Sequence, residues 1–400
     1  KRKTKTIDMF SMSSMTDIIF LLLIFFMITS TLISPNAVKL LLPESTSKTM
    51  AKQNVTVYID ESYNFFVGEQ PAAVDVLEPM LEAERGEVQD ACVVLRADID
   101  ALPICEKTGV EWASAVEGVM HGCGHDCHAA VLYGVLKRLN ENPDFEGTLF
   151  GVFQPGEECN PGGAKFVLEE DPFEGYDVAA VIGEHVDADL EVGEIGFCPG
   201  KFMASTDEIH FTVEGVGGHA AMRSRIKDSV VAAADMIMRL NAFNSDDCVL
   251  SIGRVIAEGA TNVIPDKTSC QGTMRTFSEK LRARVKDMIA NVAEEIEYKY
   301  DVEVAVDIRH GYPCVENNVQ LTYEAMLLAE SRGFKVKDLE MRPTAEDFGY
   351  YTQIYPSLFY RLGVGQAAGR SHTAMFLPDE KALDVGEEFM YQLALSILNK

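Results

Sequence analysis

The sequence predicts an α/β fold: a catalytic-size α/β sheet domain interrupted by an inserted ferredoxin-like βαββαβ unit and preceded by a single transmembrane helix. Three observations carry that prediction. Apolar strands at 92–96, 148–153 and 178–183 alternate with helical segments, as in a sheet covered by helices. Between 207 and 309 the predicted order is strand (209–213), helix (228–241), strand (248–255), strand (268–275), helix (279–300) and strand (302–308). The stretch 15–33 is nineteen residues with one charge, Asp17, and an unbroken apolar core at 18–28, close to the ~20 residues a bilayer span requires.

Taken in order, the basic residues Lys1, Arg2, Lys3 and Lys5 precede the span, and no comparable cluster comes closely after it. The positive-inside rule therefore places residues 1–14 in the cytoplasm and exports the chain beyond Ile33. A cleaved signal peptide is the rival reading, but no small-residue cleavage site lies after the apolar run. Next, Val55, Val57 and Ile59 alternate with polar neighbours, 60–64 make a turn and 65–67 return, giving a short hairpin. A helical stretch at 74–84 contains Pro79. After the inserted unit the chain returns to the first sheet, with helices expected at 321–331 and 385–398.

The formal net charge is −27, yet the first fifty residues carry +3, so the remainder holds −30. A surface that acidic repels phosphate backbones and argues against nucleic acid as a partner. Nine cysteines without regular spacing do not make a disulfide framework and fit a reducing compartment.

The densest chemistry lies in His121-Gly-Cys-Gly-His-Asp-Cys-His128. Gly122 and Gly124 let the backbone fold tightly enough to aim Cys123 and His125 at one spot, and thiolate with imidazole suits zinc or a related transition metal. Asp126 is expected to cap a helix running to Leu139, while His121, Cys127 and His128 read as ordinary core or surface residues. Gln154-Pro-Gly-Glu-Glu158 comes after a strand, where sites gather. Adjacent carboxylates repel unless a cation neutralises one; a metal site uses one as ligand and the other as general base. Asp98 and Asp100 end another strand, and Asp100 is placed to orient a ligating histidine. His185 and His372 fall at element ends and complete a ligand count for a binuclear site.

The motifs LRADIDALP, MHGCGHDCH, FQPGEE, GEHV, GVGGHAAM, NVIPD, GTMRTF, AEDFGYY and SHTAMF occur in this order. From Val93 to Lys400 the chain resembles the metallopeptidase-related amidohydrolases: hippurate hydrolases, N-acyl-amino-acid amidohydrolases and indole-acetyl-amino-acid hydrolases. That resemblance implies two divalent ions, Mn or Zn, held by Cys123, His125, Glu158, His185 and His372. It implies Glu157 as general base and Asp100 as the carboxylate behind a ligand. It also makes 207–309 a dimerisation domain of a homodimer, whose His219 stabilises an oxyanion in the neighbouring subunit, with Asn262 and Arg275 holding the substrate. An oxyanion needs a donor where charge develops, and Arg suits a terminal carboxylate. Glu346 belongs to a family motif without an evident role. The chain departs from the family pattern at Ala221-Met-Arg-Ser-Arg225, at FQPGEE, at SHTAMF, and upstream, where the family's own first helix and strands are missing.

The N-terminal wording, SMSSMTDIIFLLLIFFMITSTLI and then VKLLLPES, resembles the ExbD/TolR family of proton-driven membrane proteins. That implies Asp17 as the proton-carrying carboxylate and an ExbB/TolQ-like membrane partner. The expected organisation is therefore 1–14 cytoplasmic, 15–33 transmembrane, 34–91 an incomplete ExbD/TolR-like external segment, 92–206 with 310–400 the metallohydrolase, and 207–309 the dimerisation domain. Three readings stand: a membrane-tethered amidohydrolase of N-acyl amino acids, a transport subunit, or an inactive chimera joined near 92–98. A native fusion would sit in the inner membrane with its catalytic part periplasmic; the hydrolase alone would be cytoplasmic.

Overall fold

The computed structural model describes residues 57–59, 65–67, 70–72 and 91–399, in two units divided between Val88 and Gln89. The predicted span, with Asp17, lies outside the described residues, and among those no helix is long and apolar enough to cross a membrane. In the first unit β1 (Val57–Ile59), β2 (Phe65–Val67) and β3 (Gln70–Ala72) form an antiparallel meander. The third strand is an addition to the expected hairpin.

In chain order the second unit contains β4 (Ala91–Asp98), α1 (His125–Glu141), β5 (Thr148–Gln154), α2 (Gly163–Glu169), β6 (Asp177–Asp187), β7 (Glu194–Phe197) and β8 (Gly200–Met203). The inserted lobe comprises β9 (Asp207–Glu214), β10 (Gly218–His219), α3 (Ser229–Asn241), β11 (Cys248–Ile256), β12 (Val263–Ile264), β13 (Lys267–Thr276), α4 (Glu279–Tyr300) and β14 (Glu303–His310). The chain then forms β15 (Val315–Asn317), α5 (Val319–Ser331), β16 (Lys335–Asp338), the single turn α6 (Gly349–Thr352), β17 (Ser357–Gly363) and α7 (Lys381–Leu398).

The larger sheet has the order β16-β7-β17-β6-β4-β5. β4 runs parallel to β5 and β6, β17 parallel to β6, and only the β7–β17 pair is antiparallel. Strands buried on both faces read as continuous apolar runs, which is why β4 and β6 are visible as such, whereas β17 is not among the predicted strands. One face packs Leu95, Ile182 and Tyr360 against α1, α5 and α7; the other packs Val94, Phe348 and Phe359 near α2 and α6. Two helix starts differ from expectation. α1 begins at His125, because Gly124 turns the chain in a left-handed conformation, and Asp126 sits inside the first turn, accepting from Cys127 N. α7 begins at Lys381, where Asp379 receives the first free amide.

The inserted lobe is a four-stranded antiparallel sheet, β11-β13-β9-β14, with α3 and α4 on one face. Its strands alternate strictly: Ile209, Phe211 and Val213 are buried against the helices, while Glu208, His210, Thr212 and Glu214 face outward. The lobe joins the rest of the unit at two crossings, both of which one side chain reaches. Arg282 of α4 donates to both carboxylate oxygens of Asp207 (2.7 and 2.8 Å), to Thr206 O (3.2 Å) and to Gly311 O (3.0 Å).

Candidate metal centre and active site

The candidate residues converge where strands β4, β5 and β6 end. The turn 121–124 enters α1 through Gly124, whose φ of 85° and whose closeness to Val186 exclude a side chain: a Cβ would lie 2.5 Å from Val186 Cγ2. This turn carries Cys123 to 3.4 Å from His185 Nε2. His185 Nδ1 donates to Val186 O at 2.7 Å, leaving Nε2 free as a donor of electrons. His372, itself left-handed at φ 60°, is tied by its amide to Gly122 O (2.7 Å), and its Nε2 lies 3.1 Å from Glu158 Oε1. A non-glycine residue in that region stores strain that its surroundings must hold.

Asp100 accepts the amides of Glu157 (3.0 Å) and Glu158 (2.9 Å), so it shapes the loop after β5, and it lies 3.4 Å from His125 Nδ1. Burial opposes its charge, but His125 and the two amides together hold it down at about 2. His125 is fully buried, and neither of its ring nitrogens makes a well-aligned hydrogen bond; Glu158 Oε1, close to His372 Nε2, makes none either. Buried polar atoms are rarely left so. The ligand atoms fall into overlapping groups, each within 4.8 Å: Cys123, His125 and His185; Cys123, Glu158 and His372; His125, Glu157 and Glu158. Thiolate, imidazole and carboxylate donors left bare in this arrangement fit two transition-metal cations.

Beneath the donors lies a saturated ionic network. Arg96, fully buried in β4, donates to Gln154 Oε1 (3.0 Å), Asp98 Oδ2 (2.8 Å) and Asp347 Oδ1 (2.6 Å), with Glu346 Oε1 at 3.1 Å. Asp347 also accepts from Gln154 Nε2 and Ala164 N. Asp98 holds His128 through a 2.5 Å contact to Nδ1, and His128 Nε2 accepts the amide of Val186 at 2.9 Å. Burial works against Asp98's charge, yet Arg96 and then His128 and His125 hold it well below the usual carboxylate range. Burial lowers His185 and His128, so both stay neutral, as ligands and acceptors require.

Glu157, 7% exposed, is pushed well above the ordinary carboxyl range by burial and by the facing Glu346, Asp98 and Asp347. Its carbonyl accepts from Tyr312 Oη. A buried carboxyl with raised proton affinity beside candidate metal donors is placed to exchange a proton. Cys123, Glu157, Glu158, His185, His372 and Arg275 line one cavity of about 700 Å³. His219 and Asn262 do not line it. They sit together on the small β10–β12 ladder, where Ala220 N donates to Asn262 O, with His219 exposed.

Arg96, Asp98, Asp347 and His128 were not singled out from the sequence for this role. Their signals were an arginine inside an apolar strand and an acidic pair in AEDFGYY, 250 residues apart and uninformative singly.

Thiol, imidazole and carboxylate donors converging on one cavity beside a buried carboxyl are what a metal-dependent hydrolase requires. The chain belongs to Peptidase family M20/M25/M40, whose family model matches residues 94–396. It is 36% identical to N-acetylcysteine deacetylase of Bacillus subtilis over 321 residues, 78% of this chain and 83% of that one. It is 36% identical to N-acetyldiaminopimelate deacetylase of Bacillus cytotoxicus over 304 residues, 74% of this chain and 80% of that one. Among solved structures it is similar to the YxeP protein of Bacillus subtilis, described as a dinuclear metal-binding peptidase of the same family. That match has a TM-score of 0.69 and 35% identity, covering 78% of this chain and 83% of the other. A putative aminohydrolase from methicillin-resistant Staphylococcus aureus matches with a TM-score of 0.72 and 28% identity, over 87% and 88% of the two chains. With its bare thiol, imidazole and carboxylate groups, the site takes two divalent cations. A second family model, Biopolymer transport protein ExbD/TolR, matches residues 2–102, so the two matches share 94–102.

Proposed function

We propose that the protein hydrolyses the amide bond of N-acyl amino acids, as an aminoacylase or hippurate hydrolase does. The observation that carries this is Glu157, a buried carboxyl whose proton affinity is raised, in one cavity with the candidate donors and with Arg275. Cys123, His125, Glu158, His185 and His372 hold the cations, Mn or Zn, and Asp100 orients His125. Bound there, two divalent cations would polarise the amide and lower the pKa of water enough for it to be deprotonated. Glu157 takes that proton and passes it to the leaving amine. Arg275 receives the substrate's carboxylate. The names of the relatives, deacetylases of N-acetyl amino acids, support the same substrate class.

The test is amine release from a panel of N-acyl amino acids by the full chain supplied with Mn or Zn. Activity on at least one member, lost in Glu157→Ala, is expected. A panel left untouched, or Glu157→Ala as active as the parent, overturns the reading.

His219 and Asn262 lie off the cavity, and β11 is an edge strand of the inserted sheet. Both support a homodimer through 207–309 in which His219 and Asn262 serve the partner's site. A dissociated monomer with full activity would rule that out.

The ExbD/TolR match favours a second reading for the N-terminal segment: a membrane anchor in the inner membrane, with Asp17 as its proton-carrying group and an ExbB/TolQ-like partner. Co-purification with such a partner, lost on Asp17→Asn, tests it. A peptide spanning Glu87 to Glu106 in the native source distinguishes one gene product from an inactive chimera that lacks the hydrolase's own first elements.

A further inference from the structure

Two guanidiniums are buried in the catalytic lobe, and they are treated in opposite ways. Arg96 is neutralised by three carboxylates. Arg361, on β17 opposite His185 in the parallel register, is 5% exposed, and among the described residues no carboxylate lies within ion-pair distance of it, Asp187 and Glu346 acting on it only from farther off. Its one hydrogen bond goes to Met203 Sδ at 3.1 Å, its Nε has no partner, and its Cζ lies 5.6 and 5.4 Å from the ring centroids of Phe202 and Phe359. A buried charge without a counter-ion is costly. Nothing in the packing of β17, otherwise SLFY and LG, calls for one.

Arg361 lines the same cavity as Arg275, Arg342 and Arg370. Four arginines lining one cavity are unexpected in a chain of net charge −27. All but one of the carboxylates of that cavity are otherwise engaged, and the remaining one, Asp189, is exposed. Glu157, Glu158 and Glu346 belong to the metal end; Asp187 pairs with Arg342 at 2.5 Å; Asp189 lies in the same turn as Asp187, its amide bound to Asp187 Oδ1. In the proposed function Arg275 takes the α-carboxylate. One buried cation is left over.

We propose that Arg361 receives a second carboxylate of the substrate, so that the preferred substrates are dicarboxylic N-acyl amino acids. This rests on the amidohydrolase function. The second carboxylate is carried by the amino-acid side chain or by the acyl group; both present the same anion, which a guanidinium binds by paired N–H···O bonds.

The experiment compares kcat/KM of the Mn-loaded full chain on N-acetylalanine, N-acetylglutamate and N-succinylalanine. The parent chain favours one of the two dicarboxylic substrates by ~10-fold or more, through KM, and which one identifies where the carboxylate is carried. In Arg361→Met that preference falls by about 10- to 100-fold, and Arg361→Lys keeps part of it. Absence of any preference in the parent chain overturns the proposal, as does a preference that survives Arg361→Met. Equal losses on all three substrates also overturn it, since they would assign Arg361 to the metal end. Should Arg361→Met not fold, the parent's preference and the Arg361→Lys variant decide. If no substrate is turned over, the amidohydrolase reading has failed separately. Calorimetric binding of N-acetylglutamate, N-succinylalanine and N-acetylalanine to Glu157→Ala then decides, equal affinities overturning the second-carboxylate site.

Discussion

His128 offers the sharpest test of how the metal donors are held. Its ring is neutral and fully buried, with Nδ1–H given to Asp98 Oδ1 and Nε2 accepting Val186 N–H. The Val186 peptide in turn receives His185 Nδ1–H on its carbonyl. Replacing His128 by Phe keeps a ring of similar size and removes both polar contacts. Each buried group left without a partner costs about 1–3 kcal/mol, so the variant should lose about 4 kcal/mol of stability. The freed peptide no longer fixes the ring of His185, and loss of such an orienting contact typically weakens metal binding by about 10- to 100-fold. His128→Gln, which can replace one of the two contacts, should fall between. Denaturant unfolding of the chelator-treated chain measures the first effect, and competition with a zinc chelator the second. A His128→Phe protein within about 1 kcal/mol of the parent, with unchanged zinc affinity, would refute the argument that this ring positions His185.

Three further outcomes are expected. Burial foremost raises Glu184 to about 8, with Tyr360 Oη donating to one oxygen and the other bare. The folded chain thus holds a proton that the unfolded chain has lost, and stability falls as pH rises from the ordinary carboxyl range through 8. Glu184→Gln should remove that slope and gain about 4 kcal/mol at pH 8, read from unfolding at pH 5 and 8.5 under chelator; an unchanged slope refutes it. Without metal, Cys123 is kept protonated by burial and by Glu158 and Glu157. His125 stands at about 9, since Asp98 and Asp100 outweigh its burial. Loading the site at pH 7 should therefore release about two protons, and about one in Cys123→Ser, measured by calorimetry in buffers of different ionisation enthalpy; no release would be a contrary result. Arg96→Met strands Asp98, Glu346 and Asp347 and should cost about 3–5 kcal/mol, seen as a lowered thermal midpoint; a midpoint equal to the parent's would contradict the network.

The sequence exposed those parts of the molecule whose reason is local. Strands β4 and β6 are buried on both faces and read as apolar runs, and the lobe from Asp207 to His310 showed its order of strands and helices. Cys123, His125, Glu157 and Glu158 stood out because glycines and strand ends flank them. The ionic floor of the site was not legible: Arg96 meets Asp347 only after the chain has passed through the whole inserted lobe. His128 passed for a core residue, as it is by burial, while its partner Asp98 and the Val186 amide give it a second task. The start of α1 was misplaced because the left-handed turn at Gly124, rather than a side-chain cap, sets it. His219 and Asn262 are adjacent through β10 and β12, a pairing across more than forty residues that no periodicity announces.

Strand β4 has a practical bearing on any attempt to separate the two parts of this chain. Both family matches include residues 94–102, but in space this stretch begins inside the larger sheet, between β5 and β6, and supplies Arg96 and Asp98 to the floor of the site. A scissile point chosen where the ExbD/TolR match ends would pull the keystone from the hydrolase. One chosen between Val88 and Gln89 leaves every strand of that sheet in the released fragment.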